Sequence, residues 1–201
     1  MENERRRITE ENIIRCAKKE FLEKGYAKAN LREICKAAHV TTGAFYFSFE
    51  NKEALLGAII DPVIKEIQLM QLTLAKREIE HPETAPDNEL QAIQVASKYQ
   101  DEILIMMDQV AGTRYEAVRE QVYETMREMF RSYYAKQLGA EPDPELIRIM
   151  AAMRFQGYLE ILKGNYDMEE RIFLANAIGI HADAGTLKLI EYLKKESDAH
   201  R

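Results

Sequence analysis

The chain has 201 residues, 46% hydrophobic and 31% charged, enough to bury a core as one or two domains. No apolar run approaches about 18 residues, so no transmembrane helix and no membrane partner are expected. The arginines of MENERRRITEEN are followed by no apolar stretch, so no secretory leader is expected either. The net charge of −6 is unevenly placed: residues 1–53 hold 11 Lys and Arg against 9 Asp and Glu, and the remainder is acidic. A mildly basic head on an acidic body is compatible with nucleic-acid contact through one end. Cys16 and Cys35 read as two reduced structural thiols of a cytoplasmic protein.

Every element reads as a helix. Trp is absent, β-branched runs are rare and no window alternates polar and apolar residues for long. Thr9 is predicted to cap a first helix with Glu10 and Glu11 in its first turn, the apolar stripe Ile13, Ile14, Ala17 and Phe21, and an end at Gly25. Arg5, Arg6 and Arg7 before it form either a solvated tail or a flexible arm for DNA. Asn30 caps a second helix, with Glu33 at the capping-box spacing. Thr41 caps a short third, and Asn51 caps a fourth running to about residue 80, which Pro62 should kink or break. HPETAP at 81–86 reads as a linker. Later helices are predicted over 87–100, 101–111, 113–138, 144–163, 167–180 and 186–195, the last two separable or fused across 179–185.

The segment 30–56, NLREICKAAHVTTGAFYFSFENKEALL, carries the most information. A helix of six or seven residues bearing Phe45, Tyr46, Phe47 and Phe49 is an odd core element. It makes sense if one face anchors and the other is presented, as in a helix-turn-helix unit.

The stretch TTGAFYFSFENKEALL over residues 41–56 resembles the signature of TetR/AcrR-type transcriptional regulators. A small-residue turn leads into a short recognition helix with a tyrosine, aromatic positions and then a Lys-Glu-x-Leu helix start. The resemblance covers roughly residues 8–56 and implies an all-α fold. Residues 1–52 would form a three-helix helix-turn-helix DNA-binding domain and 53–201 a larger helical effector-binding and dimerisation domain. It implies DNA contacts from Arg32, Thr41, Thr42, Gly43, Ala44, Tyr46, Phe47, Ser48 and Lys52. Tyr46 and Lys52 are read as phosphate donors. Gly43 and Ala44 allow close approach to the groove, and Phe47 and Ser48 take positions that face bases. Phe45 and Phe49 match inward anchors. The chain departs from the family at His39 (usually Gly), Glu50 (often Pro) and Asn30 (usually Thr). Few donors at 47 and 48 imply readout by apolar contact and DNA shape.

The body is rich in Met and Tyr at helical spacing, which suits either plain core or an adaptable pocket. The resemblance implies a ligand cavity among helices four to eight. Met106, Met107, Met126, Phe130, Met153, Arg154 and Tyr158 are the candidate ligand residues, with Asp108, Gln156 and Glu160 as further polar groups. Helix 144–163 and the segment after 167 resemble paired dimer helices. Ile172, Leu174, Ala175, Ile178, Leu187 and Ile190 would offer the apolar surface of a four-helix bundle.

No phosphate loop, dinucleotide fingerprint, zinc-protease motif or nucleophile elbow is present, so no enzyme is expected. Glu78 and His81 form a single Glu-x-x-His, too little for a di-iron site, and neither metal nor cofactor is expected. The predicted function is a homodimeric repressor released from a palindromic DNA operator by a small, largely apolar effector. Alternatives are a DNA-binding regulator without a small-molecule effector and, remotely, a helical enzyme.

Overall fold

The structure is a computed structural model and describes residues 2–80 and 85–199. These residues form helices α1 (Glu2–Lys28), α2 (Leu31–Ala37), α3 (Thr42–Ser48), α4 (Lys52–Glu80), α5 (Ala85–Lys98), α6 (Gln100–Asp108), α7 (Tyr115–Leu138), α8 (Pro144–Lys163) and α9 (Met168–Ala199), with no strand among them. Residues 81–84 of the predicted linker, with His81, lie outside the described residues, and Ala85 and Pro86 open α5 instead. The chain divides into two compact units: Met1–Ala85 with Lys98–Val118, and Pro86–Ser97 with Arg119–Arg201. The first unit thus runs well past residue 52.

That extension follows from burial. Ile13, Ala17 and Phe21 of α1, Ile34 of α2 and Phe45 of α3 are buried with Leu55, Leu56, Ile59 and Ile60 of α4. The first three helices cannot cover these side chains alone, and each large one contributes roughly 2 kcal/mol when withdrawn from water. Helix α6 packs on both α1 and α4 and adds Ile103, Ile105, Met106 and Met107 to the same core. Buried Ile60 and Val63 flank Pro62, and α4 stays unbroken through it.

Helix α1 begins earlier than a Thr9 cap requires. Arg7 pairs with Glu4 at 2.8 Å and Arg6 with Glu10 at 2.9 Å, i,i+3 and i,i+4 contacts that favour an added turn. The Thr9 hydroxyl donates to the Arg5 carbonyl at 2.9 Å and caps nothing. Arg5, Arg6 and Arg7 are therefore helical, not an extended arm. The helical backbone breaks at Gly25 (φ 74°, ψ 157°). A side chain there would face a left-handed backbone and lie 2.9 Å from the Gln109 amide oxygen. The break frees the Tyr26 N–H to donate to the Gln109 carbonyl at 3.0 Å, fastening α1 to the end of α6. Lys18 and Glu102 pair at 2.5 Å across the same two helices. At the start of α7, Tyr115 donates to Asp61 of α4 at 2.6 Å, and Arg114 just before it donates to the other carboxylate oxygen at 3.1 Å.

In the second unit, α8 and α9 pack closely; a Cβ on Gly157 would lie 3.2 Å from Ile178. One cluster joins Ile93 of α5 to Ile161 and Ala175, and another joins Tyr134 of α7 to Ile147 and Ile190. Helix α9 is continuous; the glycines at 179 and 185 do not divide it. Glycine inside a helix costs about 1 kcal/mol, which the packing of Ile178, Leu189 and Ile190 offsets.

Candidate nucleic-acid interface

The candidate interface is built on caps. Asn30 accepts from the Arg32 N–H at 2.9 Å, Thr41 from the Ala44 N–H at 3.1 Å and Asn51 from the Ala54 N–H at 2.8 Å, starting α2, α3 and α4 where the sequence predicts. The reciprocal half of the predicted capping box is absent: the Asn30 N–H donates to Glu20 Oε1 at 3.2 Å, and Glu33 is exposed. Glu20 is 9% exposed, and burial alone would raise its pKa. Hydrogen bonds from Lys24 and the Asn30 N–H outweigh this and hold the carboxyl below its usual range. The turn between α2 and α3 passes through His39 at φ 56°, the position where the family places glycine. The His39 N–H donates to the Lys36 carbonyl at 3.1 Å and the Val40 N–H to Cys35 at 2.9 Å, closing the end of α2. Asn12 of α1 donates to the Ala38 carbonyl at 2.8 Å and pins the turn.

These contacts fix which face of α3 looks outward. Phe45 is fully buried and stacks at 5.6 Å on buried Phe49. On the opposite face Tyr46 is 57% and Phe47 84% exposed, with Thr41, Thr42 and Gly43 exposed beside them. The Tyr46 ring meets Phe45 edge-on at 5.3 Å, which orients its phenol. A Cβ on Gly43 would meet only the Thr41 hydroxyl, at 3.7 Å. The fold therefore does not require glycine there; what glycine preserves is room outside the helix. Ala44 and Ser48 are half-buried, and Arg32 is exposed on α2. Arg6 donates to the Phe47 carbonyl at 3.3 Å, which brings the start of α1 to the end of α3.

Lys52 departs from its expected role. Its ammonium donates to the Tyr26 carbonyl at 2.6 Å and the Ala29 carbonyl at 3.1 Å, closing the last turn of α1.

Residues 13–59 match the family of bacterial regulatory proteins, tetR family. The match covers 47 of the 201 residues, from within α1 to the first turns of α4. The chain is 40% identical over 53 residues to the HTH-type transcriptional regulator TtgR of Pseudomonas putida, covering 26% of this chain and 25% of that protein. It is 38% identical over 60 residues to the A-factor receptor protein of Streptomyces griseus, covering 30% of this chain and 22% of that one. The chain thus spans about a quarter of the length of these curated relatives. A transcriptional regulator (TerR/AcrR family) from Aquifex aeolicus VF5 shares the fold, with a TM-score of 0.56 at 23% identity, over 90% of this chain and 99% of that one.

Beyond the matched segment, the expected ligand residues separate. Met106 and Met107 are each 3% exposed and fill the core of the first unit under α1 and α4. Helix α6 turns these side chains toward the head core, which the Met pattern alone does not reveal. Met126, Phe130, Met153, Arg154 and Tyr158 line a groove of the second unit between α7 and the α8–α9 pair, with overlapping lobes of about 540 and 600 Å³. Gln156 and Glu160 hydrogen-bond each other at the surface, and Asp108 is exposed at the end of α6. Sequence reasoning missed Tyr134 of α7 in this groove, and missed Thr186 and Leu189 because α9 read as a dimer helix alone. Of the six residues expected on the dimer face, Ala175 and Ile190 are buried within the unit, and Ile172, Leu174 and Ile178 pack against its cores; Leu187 alone of them is exposed. The exposed apolar stripe of α9 is instead Phe173, Ala177, Ile180, Ala184 and Leu187, at spacings of three and four. Ile149 and Met153 of α8 are exposed as well.

Proposed function

We propose that the protein is a homodimeric, ligand-responsive transcriptional repressor whose heads enter successive major grooves of a palindromic operator. The observation that carries this reading is the two-faced α3. It is anchored by buried Phe45 and Phe49 and offers Phe47, Tyr46 and an unhindered Gly43 to the outside. Phe47 and Tyr46 lie together on the exposed face, and a duplex groove supplies thymine methyls and sugar carbons to cover such a patch. The mildly basic charge of residues 1–53 favours a polyanion.

One such helix touches too few bases for specificity, so two heads about 34–36 Å apart are needed. The stripe Phe173, Ile180 and Leu187, with Ile149 and Met153, supports pairing of α8 and α9 with their copies in a four-helix bundle. The groove along α7 supports a small-molecule effector. Helix α7 carries Phe130 and Tyr134 of that groove, and at its first residue Tyr115, bonded to Asp61 of α4. A ligand that favours a shifted α7 would strain that bond and change the set of the heads.

The test is selection of bound duplexes from a random pool, followed by mobility shifts of the winner with wild type, Gly43→Ala and Phe47→Ala. Enrichment of a palindrome, with both variants folded but weakened, supports the reading. A monomer that enriches no sequence sinks it.

A further inference from the structure

We infer that the groove of the second unit takes an amphiphilic carboxylate: an apolar body with one acid group, held by the Tyr134 hydroxyl and the Arg154 guanidinium. This rests on the ligand-responsive reading above and names the chemistry of its ligand.

The groove lies between two packed clusters, Ile93–Ile161–Ala175 and Tyr134–Ile147–Ile190. Between them the small residues Gly157 of α8 and Ala177 and Ala182 of α9 line space that Phe130 of α7 borders but does not fill. Each lobe, at about 540 and 600 Å³, falls within the size of small-molecule sites. Its walls are apolar: Phe130, Met150, Ile178 and Leu189.

Phe130, Tyr134, Arg154 and Thr186 line both lobes. Tyr134 is 1% exposed, and its buried hydroxyl has no hydrogen-bond partner. Buried hydroxyls are normally paired, so one left open beside a cavity points to an absent acceptor. Arg154 is held between the Tyr158 ring at 5.8 Å and Asp183 Oδ1 at 3.6 Å. Its side chain is 23% exposed and that of Asp183 78%, so the cation faces the groove while its carboxylate partner reaches water. A solvated, long ion pair of this kind is weak and exchangeable. The polar groups lining the lobes are thus a phenol, a guanidinium, the Thr186 hydroxyl and the His181 imidazole, all able to donate, with the Asp183 carboxylate bordering one lobe. An acceptor with two oxygens answers them, and Arg pairs with carboxylate in fork geometry. A cationic ligand would meet Arg154 at like charge and find Asp183 only at the rim.

The experiment titrates the full chain with decanoate below its micelle concentration by calorimetry, with decanol as the uncharged control. Decanoate is expected to bind about tenfold or more tightly than decanol, as a charge-assisted pair in a shielded site would give. Tyr134→Phe, which keeps the ring, is expected to weaken decanoate roughly five- to tenfold without lowering Tm. Arg154→Gln is expected to erase the preference over decanol, and Asp183→Asn, which removes the competing carboxylate, to strengthen decanoate. Equal binding of the two probes, unchanged affinity in both Tyr134→Phe and Arg154→Gln, or no decanoate binding at all would overturn the inference. The same preparation is assayed against the selected duplex without ligand. Duplex binding with no decanoate binding overturns this inference and leaves the regulator standing; the reverse result overturns the regulator.

Discussion

The Lys52 ammonium lies 2.6 Å from the Tyr26 carbonyl, 3.1 Å from that of Ala29 and 4.4 Å from the centre of the Tyr26 ring. Burial lowers its pKa from the ordinary lysine value, as for a cation drawn into the fold to meet carbonyl dipoles. Lys52→Met should therefore cost about 1–3 kcal/mol in urea unfolding, the effect of unpairing buried carbonyls. Its effect on salt dependence should be small. The slope of log affinity against log salt should change by less than the roughly 0.9 that one lost phosphate contact gives. A full loss of that size would return Lys52 to the DNA backbone.

Gly43 separates stability from binding. Its missing side chain has open space, so Gly43→Ala should stabilise the head by about 0.5–1 kcal/mol through helix propensity. It should weaken operator binding by about 1–3 kcal/mol, the scale of one groove contact. Thermal unfolding and mobility shifts on the same protein check both signs. Equal or better DNA binding would remove Gly43 from the interface.

His39 holds a left-handed backbone without glycine's freedom. His39→Gly should raise stability by about 0.5–1 kcal/mol, the lower part of the strain of such a conformation after glycine's greater unfolded entropy is allowed for. Operator affinity should stay within twofold, because the turn keeps its Lys36 and Cys35 hydrogen bonds. Urea midpoints for the two proteins decide it.

Glu20 gives the head a defined acid response. Its folded pKa is depressed, so its stabilising effect is present above the unfolded value of about 4.3 and is lost as pH falls through the folded value. Glu20→Gln should be less stable than wild type at pH 7, and the two should converge as pH falls through the lowered folded pKa of Glu20. Parallel stability curves across that window would show that the carboxylate contributes nothing.

The α9 stripe predicts the assembly. Ile180→Glu places a charge in the middle of the exposed apolar row and should yield monomers in sedimentation velocity. Operator affinity should fall by a hundredfold or more, about 3 kcal/mol, because a single head remains. A dimer that survives this change would move the interface elsewhere.

The head was legible because its information is local. Asn30, Thr41 and Asn51 each cap a helix within three residues, and the resemblance over residues 41–56 names Phe45 and Phe49, both buried, as inward anchors. What could not be read were partners far apart in sequence: Glu20 on the Asn30 N–H, Asn12 on the Ala38 carbonyl, Lys52 on Tyr26. Met106, Met107 and Met126 look alike in sequence, yet the first two lie in the head core and the third on the groove. Only the direction in which α6 and α7 turn their faces separates them. Across α9 every third or fourth residue is apolar on two sides of the helix, so periodicity could not tell which side was spent on α8 and which left outward.

The mooring of α1 to α6 uses a main-chain donor at Tyr26 and a main-chain acceptor at Gln109. Replacing either side chain leaves both atoms in place, so the join should tolerate drift at 26 and 109. It should be intolerant of length. One residue inserted into α6 would rotate its final carbonyl by about 100° and carry it out of reach. Related heads fastened in this way should vary at the exposed positions of α6 while keeping its number of residues fixed.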